Sequence, residues 1–407
     1  MSISSDRSYL FFLGLLATAP PLATDMYLPA IPDIAQFWSV NESLVNLSLV
    51  LWFFSFSVSL LFYGPLSDRF GRKPILLYGL LLFSLSSFLC AFSSNIWQLI
   101  LFRILQGMGA ASPSSMSMAI CRDHFQGKRR QQMFAYIGVV LAVMPMLAPS
   151  IGSFLLSFFS WRFIFAAQGF IVLVSFLLSI VYQETATRLR TGKILYVLAR
   201  YKGLVKNPEY FLSNSLMGVL TGPFYAYIAI SPIIYINIFQ QSKSAFSLFF
   251  GLNALFSMLG ALLCARLVRR YSYKLLLPVG FVGYIAGSVM MLLLGSFSAY
   301  LFFIAMMTIS FFLGLSRPIS NHLVLDQVDE DIGSASSFLV FYQMMVGSIC
   351  MFFTSLPWPQ PILAFGLLAL ITPVSVLSLW PTLLRRLEKK EKRTAANLVE
   401  DPIEQYP

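Results

Sequence analysis

Charged residues are scarce in this chain: they make up 11% of its 407 residues, whereas hydrophobic residues make up 57%. The mean hydropathy of +0.76 lies far above the range of soluble domains. A helix needs about 20 predominantly apolar residues to cross a bilayer, and a chain of this length has room for about twelve. The composition therefore excludes a soluble globular domain and predicts an integral membrane protein.

Histidine and cysteine are also rare. The two histidines, His124 and His322, fall in predicted loops, and the four cysteines are scattered without paired spacing. A metal site or a disulfide framework needs such residues at short, regular spacings. The sequence therefore predicts no metal and no cofactor. A membrane sensor or enzyme would need a soluble output domain or a catalytic constellation, and the sequence offers neither.

Apolar segments long enough to span a membrane follow one another along the chain, and the longest loop between them divides them six and six. Their approximate bounds are 9–27, 45–63, 75–92, 96–120, 133–156, 163–182, 210–234, 246–267, 275–294, 300–316, 334–355 and 362–384. We therefore predict an all-α membrane fold with two six-helix halves, residues 1–182 and 210–384. A cytoplasmic linker, residues 183–209, joins the halves, and a basic tail, residues 385–407, follows them.

Basic residues are distributed unevenly among the predicted loops. Of the 28 lysines and arginines, 25 fall at the termini or in loops on one side; the exceptions are Arg103, Arg162 and Lys243. Cytoplasmic loops collect lysine and arginine, so both termini are predicted to be cytoplasmic. This placement explains the net charge of +11 without a nucleic-acid partner. The basic tail is also suited to contact with anionic lipid.

A sequence signature follows the second predicted span. Residues 64–73 read Gly-Pro-Leu-Ser-Asp-Arg-Phe-Gly-Arg-Lys, and a degraded echo at residues 260–266 follows the eighth span. A parallel repeat of two six-helix halves is typical of transporters that work by alternating access, with the substrate site between the halves. Residues 64–73 resemble the signature loop of the major facilitator superfamily.

Three further stretches are similar to the drug:proton antiporters of that superfamily. They are Thr-Asp-Met-Tyr-Leu-Pro at 24–29, Arg103 with Gln-Gly-Met-Gly at 106–109, and Ala-Pro-Ser-Ile-Gly-Ser at 148–153. Ala148 and Ser153 stand where the antiporter motif often has glycines.

The Asp-Met-Tyr-Leu-Pro run, together with Trp-Arg-Phe-Ile-Phe at 161–165, resembles the bicyclomycin-resistance (Bcr/CflA-type) branch. The resemblance covers the first half well and the second half only by helix count. It implies the major facilitator fold and a proton-coupled exporter of drug-like amphipathic molecules, which acts as a monomer in a bacterial inner membrane. Export of a native metabolite such as a siderophore is an alternative. An uptake symporter for a nutrient is another, and the antiporter motif around Pro149 counts against it.

Two ionisable residues, Asp25 and Arg103, are predicted at membrane depth, where such groups are costly and usually functional. Asp25 is expected near the outer end of the first span and Arg103 at a similar depth in the fourth. Because the resemblance places both spans along the cavity, we predict that the carboxylate lies near the guanidinium and carries the coupled proton. Capping of a helix end by Asp25, and a structural salt bridge for Arg103, remain alternatives.

Adaptable methionine and aromatic surfaces suit amphipathic cargo of varied shape. The residues predicted to bind cargo are Tyr27, Gln106, Asn214, Met217, Phe224 and Tyr225.

The charged signature loop is predicted to act as a conformational latch, a solvated turn being the alternative. Prolines in the first and fifth spans are predicted to permit bends, with the first span broken at Pro20 and Pro21. The predicted gate residues are Gly64, Asp68, Arg69, Gly71, Arg72, Pro145, Pro149 and Gly152.

Overall fold

A computed structural model of the chain describes residues 6–186, 195–328 and 332–400. These ranges are almost entirely helical and contain no strand. Eleven of their helical segments are long and apolar enough to cross a membrane. The predicted all-α membrane fold is therefore confirmed.

The helices before the first gap pack mainly against one another and are called the N-terminal bundle. They are α1 (Asp6–Asp25), a short 3-10 helix (Leu28–Ala30), α2 (Ile31–Trp38), α3 (Glu42–Phe70), α4 (Arg72–Ala91), α5 (Ile96–His124), α6 (Gly127–Phe158) and α7 (Trp161–Val181).

After the gap, α8 (Leu195–Lys206) precedes a second group of helices, called the C-terminal bundle. Its members are α9 (Pro208–Val219), α10 (Gly222–Pro232), a π-helix (Ile233–Ile238), α11 (Lys243–Leu267), α12 (Tyr273–Leu294), α13 (Ala299–Leu325), α14 (Ile332–Ser355) and α15 (Pro361–Glu400). The two bundles meet where α3 packs against α14 and where α6 packs against α11.

The first span differs from the prediction in its length and in the position of its break. Helix α1 continues through Pro20 and Pro21 and ends at Asp25. The span then continues through the 3-10 helix and α2, so that it covers Ser8–Trp38. Prolines are tolerated inside membrane helices because neighbouring groups satisfy the freed carbonyls. The break instead precedes Pro29 and Pro32, which stand at the starts of the next two helices, where proline is favoured.

Asp25 therefore lies at a break near the middle of the span and not at the predicted outer end. The seventh predicted span is broken in a similar way, between α9 and α10.

Helix α5 is 29 residues long but is not among the eleven apolar segments, since it carries Arg103, Gln106 and several small polar residues. Two of its glycines allow close packing. A Cβ at Gly107 would lie 2.5 Å from the carbonyl oxygen of Trp52 in α3, and one at Gly109 would lie 2.5 Å from the backbone nitrogen of Phe83 in α4. Helix α5 is therefore held at the centre of the N-terminal bundle.

The predicted linker contains a helix, α8, rather than only a loop. The Tyr201 hydroxyl of α8 donates a hydrogen bond to the carbonyl of Leu61 in α3 (3.0 Å).

The two histidines, predicted in loops, lie in the last turns of α5 and α13. Helix α15 runs past the predicted span into the tail as far as Glu400. The basic residues Arg188, Arg190 and Lys193 of the linker lie outside the described residues.

Candidate functional site

Asp25 is the last residue of α1 and is the only buried acidic side chain in the described part of the chain, with 5% of its surface exposed. Its Oδ1 accepts a hydrogen bond from the hydroxyl of Thr24 (2.9 Å). Within the described residues no lysine or arginine forms an ion pair with it. A buried carboxyl group without a cationic partner is costly in its charged form, so Asp25 marks a candidate functional site.

Arg103 is completely buried in α5, and it does not pair with Asp25 as the sequence analysis predicted. Its Nη1 donates to the carbonyl of Ala23 (2.9 Å) and to Oε1 of Gln106. A helix ends with carbonyls that lack intrahelical partners and with a partial negative charge, and both attract a cation. The guanidinium therefore binds the end of α1 through its backbone, two residues before the carboxylate.

Aromatic rings surround the Arg103 guanidinium. Its central carbon lies 4.7 Å from the ring centroid of Tyr27, 5.6 Å from that of Trp52 and 5.8 Å from that of Phe165. Cation–π contacts of this kind are strongest where water is excluded. The Nε and Nη2 atoms have no hydrogen-bond partner among the described residues. The rings thus stabilise a charge whose hydrogen-bonding capacity is only partly used.

Two glutamines complete the polar cluster around the end of α1. The Gln106 amide nitrogen donates to the hydroxyl of Ser87 (2.8 Å) and to Oε1 of Gln168 (3.1 Å). The Gln168 amide nitrogen in turn donates to the carbonyl of Leu22 (3.0 Å). Both groups of the Gln106 amide are therefore occupied by protein in this conformation. The predicted cargo contact at Gln106 stays a prediction, and any such contact would require these bonds to break.

Gln168 of α7 is not among the residues predicted from the sequence, because no polar residue of the sixth span was considered. A buried amide within an apolar span was the signal that could have found it. Tyr27, a predicted cargo residue, is fully buried; its hydroxyl shares a hydrogen bond with the hydroxyl of Ser48 (2.9 Å). Its predicted role in cargo binding also stays a prediction.

The predicted cargo residues of the seventh span lie on both sides of the break between α9 and α10. Asn214 is 1% exposed, and neither its amide nitrogen nor its oxygen has a partner among the described residues. Met217 is buried one turn later. Beyond the break, Phe224 contacts Tyr225, whose ring centroid lies 5.6 Å from that of Phe53 in α3. A buried amide without partners calls for an explanation, and a bound molecule would supply one.

The two bundles are joined at one end of the molecule, which we call the α2–α11 end. There Lys243, the first residue of α11, forms an ion pair with Asp33 of α2 (2.5 Å). The side-chain amide of Asn46 donates to the carbonyl of Ala229 in α10 (3.1 Å). At the same end, the Ser247 hydroxyl of α11 donates to the carbonyl of Pro149 in α6 (2.9 Å). The structure is therefore closed at this end.

Gly152, a predicted gate residue, connects this closure to Asp25. A Cβ at Gly152 would lie 2.2 Å from the carbonyl oxygen of Met26, the residue that follows Asp25. Helix α6 thus touches the break in the first span at a point that only glycine permits. Movement of α6 away from α11 would change the surroundings of Asp25 directly.

The signature loop forms a charged cluster at the opposite end of α3. Arg72 pairs with Asp68 (2.6 Å) and with Asp123 at the end of α5 (2.8 Å). Gly71 has φ +97°, which favours glycine, and a Cβ there would lie 2.5 Å from an oxygen of Glu184. That carboxylate accepts from the backbone nitrogen of Arg72 (3.0 Å) and so caps α4. Asp123 and Glu184 lie far from the loop in sequence, so the loop motif alone did not reveal them.

The other predicted gate residues are less constrained. The guanidinium of Arg69 lies over the ring of Phe70 (5.1 Å). A Cβ at Gly64 would meet nothing within 4 Å, so packing does not require glycine there. Pro145 lies inside α6 without ending it. The latch role of the loop stays a prediction.

The chain matches a family model described as Major Facilitator Superfamily over residues 13–351. It is 33% identical to the uncharacterized MFS-type transporter YdgK of Bacillus subtilis over 352 residues, which cover 83% of this chain and 86% of that protein. It is 26% identical to the bicyclomycin resistance protein homolog of Haemophilus influenzae, over 84% of this chain and 87% of the relative.

Among solved structures, the fold is similar to a crystal structure of a D-xylose-proton symporter. The TM-score is 0.71 at 15% sequence identity, with 90% of this chain and 97% of the other covered. At this level of identity the likeness concerns the fold alone.

Proposed function

The chain belongs to the major facilitator superfamily, and on this premise we propose that it exports drug-like amphipathic molecules in exchange for protons. It is a membrane transporter and not an enzyme. The finer features of the proposal are a monomer in a bacterial inner membrane, both termini in the cytoplasm, and α5 as the twelfth span beside the eleven apolar ones. Proton exchange and alternating access are the mechanism we propose.

The observation that carries the proposal is the position of Asp25. The carboxyl group is buried, has no cationic partner in the described part of the chain, and lies at the break of the first span. Next to it, Gly152 of α6 touches the backbone of Met26. Because α6 also joins the two bundles, opening of the α2–α11 end would alter the solvation of this carboxyl group. Solvation controls how readily a carboxyl group binds a proton, so the same movement couples proton binding to access.

In the proposed cycle, the α2–α11 end faces the outside, and the closed state has the cargo site open to the cytoplasm. Cargo binds between the bundles, where Asn214 provides hydrogen-bonding groups and Met217 and Tyr225 provide apolar surface. When the α2–α11 end opens, cargo leaves and Asp25 takes up a proton from outside. Asp25 holds that proton while it is buried in the closed state, and binding of the next cargo molecule from the cytoplasm displaces the proton to that side.

The proposal is tested by transport in proteoliposomes with an imposed pH gradient, with bicyclomycin and a lipophilic cation as trial cargoes. Asp25→Asn keeps the shape of the side chain and removes the ionisable group. We expect it to fold and to lose accumulation of cargo against a gradient. Asp326→Asn, at an exposed acid after α13, is the matched control and should transport normally.

Accumulation by Asp25→Asn that still follows the pH gradient would contradict the role of Asp25. If the unmodified protein transports a siderophore but neither trial cargo, export of a native metabolite would replace drug export as the function of the protein.

A further inference from the structure

The last turn of α1 ends at membrane depth, where its backbone carbonyls need partners. The last four carbonyls of a helix have no intrahelical donor, and water is absent from the bilayer core. Two side chains from different helices supply donors here. Gln168 of α7 donates to the carbonyl of Leu22 (3.0 Å), and Arg103 of α5 donates to that of Ala23 (2.9 Å).

Gln106 joins these two donors into a closed ring. Its Oε1 accepts from Arg103, and its amide nitrogen donates to Oε1 of Gln168 (3.1 Å). The three side chains are at most 1% exposed. The ring therefore fixes where α1 ends relative to α5 and α7, and it holds the guanidinium on a backbone carbonyl.

The Arg103 guanidinium has unused hydrogen-bond donors, since its Nε and Nη2 atoms have no partner among the described residues. Asp25 follows Ala23 by two positions and is the one buried acid of the described chain. If the ring were opened at Gln168, the Gln106 amide nitrogen would keep only Ser87 as its partner, and the guanidinium that Gln106 holds could turn toward the carboxylate. An adjacent cation favours the ionised form of a carboxyl group and opposes protonation.

We propose that Gln168 is a positioning residue for Asp25: it fixes the last turn of α1 and, through Gln106, keeps Arg103 away from the carboxyl group. The functional meaning of this arrangement rests on the proposed role of Asp25 in proton coupling. The arrangement itself can be tested without cargo. Gln168 neither binds the proton nor contacts the cargo in this account.

The test is labelling of Asp25 by a hydrophobic carbodiimide, which reacts with protonated carboxyl groups, in purified protein in lipid nanodiscs. The labelled fraction of the Asp25 peptide is measured by mass spectrometry across a pH series. Gln168→Met preserves the approximate shape and removes both hydrogen bonds. We expect its half-labelling pH to fall by about one unit, a tenfold change in proton binding.

Ser84→Ala is the matched control. The Ser84 hydroxyl donates to the carbonyl of Gly169 (2.9 Å), so this change removes a hydrogen bond between α4 and α7 next to Gln168 without touching the ring. Its labelling profile should match that of the unmodified protein. Gln168→Asn keeps the amide, but its side chain is one methylene too short to bond to both Gln106 and the Leu22 carbonyl. We expect it to lower the half-labelling pH as well. If Gln168→Met does not fold, the result for Gln168→Asn decides between the outcomes.

Profiles that are unchanged or moved to higher pH in the Gln168 variants overturn the proposal. A lower half-labelling pH in these variants, combined with gradient-driven transport by Asp25→Asn, would instead leave the positioning role intact and remove the proposed coupling function.

Discussion

At the scale of single residues, Arg103 is distinguished by the number of different groups that its planar guanidinium contacts. It binds a carbonyl and an amide through one nitrogen and lies among three aromatic rings. A lysine ammonium is a compact point charge that cannot reproduce the stacked plane. In this structure Arg103 therefore anchors the end of α1 and forms no ion pair with Asp25.

Arg103→Lys tests this role. We expect folding with a free energy of unfolding lower by about 1–3 kcal/mol, because hydrogen bonds to a buried charged group are lost. Transport should fall more than tenfold. Thermal unfolding in detergent and transport in proteoliposomes measure the two effects. Unchanged stability and transport in Arg103→Lys would show that the aromatic and amide contacts are dispensable.

The partner of Arg103 could not be deduced from the sequence. Span positions follow from hydropathy, which correctly places Asp25 and Arg103 in two helices of the same bundle. Which group a long side chain reaches depends on where α1 ends, and that depends on tertiary contacts. Pro20 and Pro21 look like the break in the sequence, yet the helix continues through them. The actual break, before Pro29, was mistaken for the end of the span.

At the scale of helices, the contact of α6 with the broken first span is the most restrictive packing in the site. Gly152→Ala would place a Cβ against the carbonyl of Met26. Overpacking of this kind costs about 1–3 kcal/mol, so we expect a lower unfolding midpoint. Gly138→Ala in the same helix is the control, because nothing lies within 4 Å of a Cβ there. Equal midpoints for the two variants would contradict the tight contact.

The ion pair between α2 and α11 provides a second prediction at this scale. The Asp33 and Lys243 side chains are 34% and 32% exposed, so their pair is worth about 1 kcal/mol or less. Asp33→Asn should therefore raise the population open at the α2–α11 end by at most about fivefold. Spin labels at Gln36 and Ser244, both exposed, measure the opening by their distance distribution.

The charge-swapped double variant, Asp33→Lys with Lys243→Asp, is the control and should restore the closed population. If the distance distribution does not change in Asp33→Asn, the hydrogen bonds from Ser247 to α6 and from Asn46 of α3 are sufficient to close this end without the ion pair.

At the scale of the whole molecule, the sequence correctly identified the superfamily and its drug-resistance relatives. Composition and five short motifs were sufficient, because membrane folds are strongly constrained by hydropathy. The sequence did not reveal the linker helix α8, nor the contacts of Asp123 and Glu184 with Arg72 of the signature loop. Both depend on contacts between segments that are distant in sequence.

A single buried acid in the described part of the chain predicts one proton per cycle. One charge moving through about 100 mV gains roughly 2.3 kcal/mol, which supports a gradient of a neutral cargo near 50-fold. Exchange of one proton for a monovalent cation moves no net charge, so only the pH difference should drive it. The uptake of a neutral and a cationic cargo is compared in inverted vesicles, with valinomycin and potassium used to change the membrane potential. An equal response of both to the membrane potential would require a second proton.

We propose that cargo and protons cross the membrane in opposite directions and that Asp25 carries the proton. An outward cargo gradient, imposed with no pH gradient at the start on proteoliposomes that contain a pH-sensitive dye, is the most direct test of this exchange. Downhill cargo efflux through the unmodified protein should bring protons into the lumen and acidify it, and Asp25→Asn should leave the lumenal pH unchanged. Cargo efflux without acidification by the unmodified protein, or equal acidification by Asp25→Asn, would contradict the account.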